Sequence, residues 1–104
     1  MNIEYLSPDH AKLTAPNFSG DAYCVEFGPA NLIFAKTSEG FVGCGFFDLS
    51  VFEKLGIPAA KVTEISTIED LLRKNVTAAT PAAIKLGAKP GVSGEEALTK
   101  LFSC

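Results

Sequence analysis

The chain has 104 residues, of which 47% are hydrophobic, and it carries a formal net charge of −3. A chain of this length folds as one domain around an ordinary apolar core, so we expect residues 1–104 to form a single domain. Its nine lysines and arginines form no basic run that could track phosphates, and no apolar stretch approaches the ~18–20 residues that cross a bilayer. We therefore expect neither nucleic-acid nor membrane partners.

The first ten residues, MNIEYLSPDH, lack the cationic start and apolar run of a signal peptide, which makes the cytoplasm the expected location. The three cysteines, Cys24, Cys44 and Cys104, are odd in number and widely spaced, so they predict neither a disulfide framework nor a zinc knuckle. With one histidine and no CxxC motif, the chain also has too few soft ligands for structural zinc. We expect no metal and no cofactor.

The first half of the chain has the pattern of β-strands. Residues 2–6, NIEYL, form a short strand before the turn SPDH, and residues 11–21 are rich enough in turn formers to predict a loop, at most after a short strand. Residues 22–27, AYCVEF, alternate between two faces, as a half-buried strand does. NLIFAKT, the turn SEG and the returning FVGCGFF then predict a β-hairpin over residues 31–47.

The second strand of this hairpin should place a cysteine on one face and two glycines on the other. Because alternate residues of a strand share a face, Val42, Cys44 and Phe46 should point one way, and Gly43 and Gly45 the other. A free cysteine on an apolar face behaves as a small buried hydrophobe, which we favour over a reactive thiol. The glycine face indicates close approach by another group. That group is either a helix, with TPAAIKLG as the candidate, or the content of a cleft or subunit contact.

The second half changes to a helical period. Asp48 or Ser50 can begin a short helix that ends at Gly56, and residues 59–65 form a further strand. Three more segments begin with a capping residue and carry an apolar stripe: residues 66–75, 80–87 and 93–102. The pattern predicts an α+β fold, with a largely antiparallel sheet and three or four short helices packed against it.

Two candidate sites follow from this arrangement. Gly91, Ser93 and Gly94 precede a helix start, where free N–H groups can hold an anion, although Glu95 and Glu96 already supply negative charge and favour plain capping.

The second candidate site is catalytic. Cys44 would act as nucleophile, with Asp48 as an orienting group and the amides of Ser93 and Gly94 as oxyanion donors. A carboxylate raises the pKa of a nearby thiol, which opposes this role, and cysteine catalysis normally uses a histidine. His10 could reach Cys44 only through tertiary folding.

Three stretches resemble, in order and spacing, the YunC-like family of small prokaryotic proteins, classed as domain of unknown function 1805. They are GFVGCGFFDLSVFEKLGIPAAKV, STIEDLL and ATPAAIKLGAKPGVSGEEALTKL, and the likeness covers roughly residues 31–102. The family's marks are a Cys-Gly pair followed by Asp, a threonine-led helix, and a Gly-x-Ser-Gly turn before an Ala-Leu helix, here Cys44, Gly45, Asp48, Thr67, Gly91, Ser93, Gly94, Ala97 and Leu98. The resemblance implies a compact α+β domain and no established activity.

We therefore expect a cytoplasmic, homo-oligomeric binding or assembly module. A short apolar chain with sheet edges that must be paired or covered favours self-association. The alternatives are a small enzyme that uses Cys44 with Asp48 and the Ser93 turn, and a regulator that binds a small anionic ligand at that turn.

Overall fold

The computed structural model describes residues 1–16 and 18–102, so Cys104 and the Asn17 position of the expected loop lie outside the described residues. Seven strands form one sheet whose spatial order follows the chain: β1 (Asn2–Ser7), β2 (His10–Ala15), β3 (Phe18–Phe27), β4 (Ala30–Lys36), β5 (Phe41–Gly43), β6 (Ala59–Lys61) and β7 (Ala78–Ala79). The helices are α1 (Leu49–Leu55), α2 (Ile68–Arg73), α3 (Pro81–Leu86) and α4 (Gly94–Lys100).

Neighbouring strands are antiparallel throughout β1–β5 and in β6–β7, and parallel only in β5–β6. Helix α1 makes the connection between the two parallel strands, since antiparallel neighbours need only a turn and a parallel pair needs a crossover. The predicted fold class is confirmed: a single α+β domain with a largely antiparallel sheet and short helices.

Local capping chemistry explains where the helices begin. Thr80 and Ser93 are N-caps as predicted, and Asp48, rather than Ser50, caps α1. Helix α2 begins one residue later than its predicted capping box, because the hydroxyl of Thr67 accepts the N–H of Asp70 at 3.0 Å.

The sheet differs from the prediction in four parts, of which two are small: β6 ends at Lys61 and not at residue 65, and the two-residue β7 was not predicted. Most of β2 and the start of β3 lie in the stretch predicted to be mostly loop, because Leu13 and Phe18 bury their side chains against the core and override the turn formers around them. Strand β5 is shorter than predicted and ends at Gly43. The chain then turns, with the N–H of Phe47 donating to the carbonyl of Cys44 at 3.3 Å, so Phe46 is 56% exposed instead of being buried with Cys44.

The core lies between one face of the sheet and helices α2 and α4, and we call this the core face. Ile33, Val42, Leu71 and Leu98 are fully buried there. Helix α1 packs on the opposite face at β6, and α3 contacts β6 as well. In the part of the chain that the structure describes, no helix is both long and apolar enough to cross a bilayer.

Candidate functional site

Cys44 lies on the core face, immediately after β5. Its N–H donates to the carbonyl of Ile33 at 2.9 Å, and the N–H of Ile33 donates to the Cys44 Sγ at 3.4 Å. Cys44 is 4% exposed and belongs to the same apolar cluster as Val42. This is the placement of a cysteine that packs as a small hydrophobe.

A cavity of about 270 Å³ opens beside the turn that follows Cys44. A Cβ at Gly45 would meet only Thr63, at 3.6 Å, so the turn leaves room at this point. Glu64 borders the cavity with a left-handed φ of 59°, and its carbonyl accepts the ammonium of Lys74 at 2.6 Å. Since Cys44 is almost fully buried, its neighbours form most of the accessible wall: Ala30, Asn31, Gly45, Phe46, Glu64 and Ile65.

Asp48 is exposed at the start of α1 and does not line this cavity. Its carboxylate accepts the hydroxyl of Ser50 at 2.7 Å and the N–H of Ser50 at 3.0 Å. These bonds, with the hydroxyl as the larger cause, hold the pKa of Asp48 below its ordinary value. The carboxylate thus serves as a charged N-cap.

The Ser93 turn uses its polar groups within the protein. The Ser93 Oγ accepts the N–H of Glu96 at 3.1 Å, and the N–H of Gly94 donates to the carbonyl of Lys74 at 2.9 Å. A Cβ at Gly94 would overlap the carbonyl oxygen of Leu71, so this glycine permits α4 to approach α2 closely. Two of the N–H groups that an anion would use are already bonded.

The structure therefore keeps the sequence-derived candidates apart. Ser93 lines a second cavity, of about 400 Å³, whereas Cys44 lines the first and Asp48 neither. His10 lies across the sheet from the thiol, with its Nε2 3.1 Å from the Oδ1 of Asp21. Among residues 1–16 and 18–102, no three His, Cys, Asp or Glu side chains are grouped for a metal ion.

Aromatic rings fill the space over the glycine face of β5. A Cβ at Gly43 would come within 2.6 Å of the Phe47 ring and 2.7 Å of the Phe41 ring. Phe52 of α1 stacks on Phe41 with ring centroids 4.9 Å apart. The expectation that TPAAIKLG packs here is wrong, because α1 and these rings occupy the face while α3 lies against β6.

These rings continue into a row that crosses the outer face of the sheet, the face opposite α2 and α4. Centroid distances are 4.5 Å for His10–Tyr23, 5.0 Å for Tyr23–Phe34 and 5.6 Å for Phe34–Phe41. Such distances give favourable ring pairs. The four rings, which we call the aromatic row, are all partly exposed, so the row is neither a closed core nor a set of isolated surface residues.

Apolar side chains beside the aromatic row are also open to water. Leu6 is 56% exposed at a bulge where β1 opposes His10, and Val25 is 39% exposed on the face of Tyr23. In the described chain, α1 covers the outer face at β6 and meets Phe41 through Phe52, while α2 and α4 contact the sheet from the core side. The outer face of β1–β4 thus combines apolar side chains with an open approach.

A row of charged residues crosses the same face beside the aromatic row. On β2, β3 and β4 the charged residue is two positions away from the ring of the aromatic row. Glu4 pairs with Lys12, Lys12 with Asp21, and Asp21 with Lys36. We call these four residues the charge row; its signs alternate from β1 to β4. The two lysines take part in none of the ion pairs formed among the described residues.

Sequence reasoning did not identify this outer face. Tyr23 and Phe34 were both placed in strands, and pairing those strands in register would have aligned the two rings. His10 cannot be aligned in that way from the sequence, because the pattern SPDH predicts a turn there. In the structure His10 is the first residue of β2. The rows depend on the register in which neighbouring strands pair, and the sequence of one strand does not specify that register.

Tyr5 and Cys24, which both feel the charge of Glu69 on α2, have perturbed pKa values but do not form an activated pair. The hydroxyl of Tyr5 donates to Glu69 Oε2 at 2.9 Å. Burial, then this bond and the charge of Glu69, raise the pKa of Tyr5 to about 12. Burial, then the charge of Glu26, raise the pKa of Cys24, which disfavours its thiolate.

Comparison with known proteins agrees with the resemblance seen in the sequence. The family described as Domain of unknown function (DUF1805) matches residues 43–101. The uncharacterized protein YunC of Bacillus subtilis (strain 168) is 36% identical over 85 residues, which cover 78% of this chain and 84% of that protein.

The fold also has a counterpart among solved structures. The crystal structure of TA1206, a protein of unknown function from Thermoplasma acidophilum, superposes with a TM-score of 0.82 at 26% identity. The match covers 94% of this chain and 99% of that chain. Together with the family match over more than half of the residues, these similarities show that the chain belongs to the YunC-like DUF1805 family.

Proposed function

We propose that this protein is a homo-oligomeric assembly module that binds a second copy of itself through the outer face of its sheet. The observation that supports this most directly is the partly exposed aromatic row, flanked by Leu6 and Val25. Removing apolar surface from water is the dominant favourable contribution to most protein–protein association. Contiguous apolar surface of this kind is typical of an interaction site.

The charges of the same face favour an identical partner. The charge row holds two acidic and two basic residues, which cancel, so it offers no net field to an anionic membrane or a nucleic acid. The whole chain is acidic, which disfavours those partners further. An identical face carries both signs and equal apolar surface.

The oligomeric state tests this function. Sedimentation velocity from about 1 to about 100 μM covers the range of a moderate protein interface. We expect the wild type to form a dimer and the Leu6→Lys/Val25→Lys variant to remain a monomer, because two buried ammonium groups would oppose contact. Ile84→Lys/Leu86→Lys is the matched control, since Ile84 and Leu86 are each 45% exposed on α3, which packs at β6.

Circular dichroism and thermal melting must first show that the variants remain folded. A wild type that stays monomeric over the whole concentration range would refute the proposal. So would a folded Leu6→Lys/Val25→Lys variant that dimerises as well as the wild type. The cytoplasmic location expected from the sequence remains part of this proposal, and cell fractionation tests it.

The cavity beside Cys44 favours a second candidate function, the binding or conversion of a small molecule. Its volume of about 270 Å³ is just below the ~300–1,000 Å³ of typical ligand pockets. An enzyme here would have to work without Asp48 and Ser93, which lie elsewhere. In a Cys24→Ser/Cys104→Ser variant, alkylation of Cys44 by iodoacetamide well below pH 8 would support thiol chemistry, and protection of Cys44 would argue against it.

A further inference from the structure

The outer face is organised in rows that run across the strands. Next to the charge row, on the side away from the aromatic row, lies a neutral polar row in which Thr14 pairs with both Asn2 and Ser19. The order along β2 and β3 is therefore polar, charged, then aromatic. This order, together with the alternating signs, restricts how two copies can meet face to face.

A symmetric dimer of two packed sheets has its two-fold axis in the plane between them. An axis parallel to the strands brings each row opposite the same row of the partner, in reversed order. An axis across the strands, centred on the charge row, brings each strand opposite itself and exchanges the polar and aromatic rows. The two arrangements differ sharply in their electrostatics.

With the axis across the strands, every charge of the row meets its own copy, Glu4 against the partner's Glu4 and Lys12 against the partner's Lys12. Like charges placed in contact at an interface repel each other and suppress association. The aromatic row would also lie against the neutral polar row. Both consequences oppose association.

We propose that the two copies pair about a two-fold axis that runs parallel to the strands, between β2 and β3; this rests on the proposed function. Glu4 then lies opposite the partner's Lys36, and Lys12 opposite the partner's Asp21. All four positions of the charge row meet an opposite charge, because a row of four alternating signs is complementary to its own reverse.

The same axis also matches the apolar side chains. His10 lies opposite the partner's Tyr23, and Leu6 opposite the partner's Phe34. Packed sheets stand about 10 Å apart with their strands aligned to within about 30°, a gap that aromatic side chains fill. Helix α1 leaves room for this contact, because it packs at β6, which β5 separates from β1–β4.

Charge reversal tests the arrangement. The Glu4→Lys/Asp21→Lys variant makes the row entirely basic, and the Lys12→Glu/Lys36→Glu variant makes it entirely acidic. We expect each variant alone to dimerise about ten-fold or more weakly than the wild type, and their equimolar mixture to form a heterodimer of nearly wild-type affinity. Lys85→Glu/Lys89→Glu, an equal charge change on exposed residues outside the row, should leave dimerisation unchanged.

Thermal melting confirms beforehand that both variants are folded. Two folded variants that each dimerise like the wild type would overturn the axis while leaving the assembly function intact. A mixture that fails to form the heterodimer would also overturn it. A monomeric wild type, in contrast, would refute the proposed function itself.

Discussion

The two faces of the sheet differ in how completely the rest of the protein buries their apolar side chains. On the core face, Ile33 and Val42 are fully buried beneath α2 and α4. On the outer face, the neighbouring Leu32 and Phe34 are only partly covered. Because alternate residues of one strand serve both faces, the difference comes from where the helices pack and not from the composition of the strands. The outer face is therefore the face on which apolar side chains are left uncovered.

The match to the family model lies mostly outside the proposed working surface. The family match begins at residue 43 and covers the helical half of the chain, including Cys44 and the Ser93 turn. Those groups already pack, cap or bond within the fold. The aromatic and charge rows come almost entirely from the first 36 residues.

The difference between the two faces is tested most directly by truncating two adjacent residues of β4 that face opposite sides of the sheet. Ile33→Ala should lower the free energy of unfolding by about 2–5 kcal/mol, because it leaves a cavity in the packed core. Leu32→Ala should cost clearly less, since Leu32 is only partly buried. Urea unfolding at a concentration where the protein is monomeric measures both, and equal losses would contradict the distinction between the faces.

A smaller effect should separate the two glycines that flank Cys44. Gly43→Ala should destabilise the protein by about 1–3 kcal/mol, because its Cβ would collide with the Phe41 and Phe47 rings. Gly45→Ala is the matched control, with only an ordinary contact to Thr63 at 3.6 Å. Thermal unfolding compares them, and equal stability of the two variants would show that the rings do not constrain this face.

A substitution at the N-cap of α4 should lower stability without affecting dimerisation, and it therefore tests whether the interface lies on the outer face. Ser93→Ala should cost about 1 kcal/mol of unfolding free energy, through loss of the bond to the Glu96 N–H. Dimerisation should not change, since α4 packs on the core face. Thr99→Ala, an exposed position on the same helix, should change stability by less than about 0.5 kcal/mol. A Ser93→Ala protein that loses its dimer would place the interface elsewhere.

The smallest expected effect is the alkaline response of Tyr5 at the edge between the faces. The pKa of Tyr5 is about 12 in the folded protein and 10.0 ordinarily, so the unfolded chain loses its proton first as pH rises. The contribution to stability is therefore complete below pH 10 and falls away as pH rises through about 12. Tyr5→Phe should flatten this part of the stability–pH curve, and an unchanged slope would contradict the assignment.

Much of the local structure was predictable because its causes are local. Thr80, Pro81 and Gly87 mark the start and end of α3 through capping and backbone geometry, and the structure has them in those positions. The burial of Cys44 followed from strand parity, which holds as far as the strand itself extends. Phe46 was misplaced because a turn, which parity does not describe, follows Gly43.

The candidate sites were less predictable, because they depend on contacts between distant segments. From the sequence, Cys44, Asp48 and Ser93 are candidates for a single pocket. In the structure Cys44 lines one cavity, Ser93 lines another, and Asp48 caps α1. Strand β2 was missed because Leu13 is held by burial and not by propensity. Without β2, neither His10 nor Lys12 could be placed on a face.

The sequence by itself determined the α+β class, the N-caps of α3 and α4, the family and the inward direction of Cys44. Each of these follows from the order of residues within a short window, through capping bonds and the two-residue repeat of a strand. Only the tertiary structure decided that rings and charges from four strands form continuous rows. Strand register sets those rows, and register is established by packing between segments far apart in the chain.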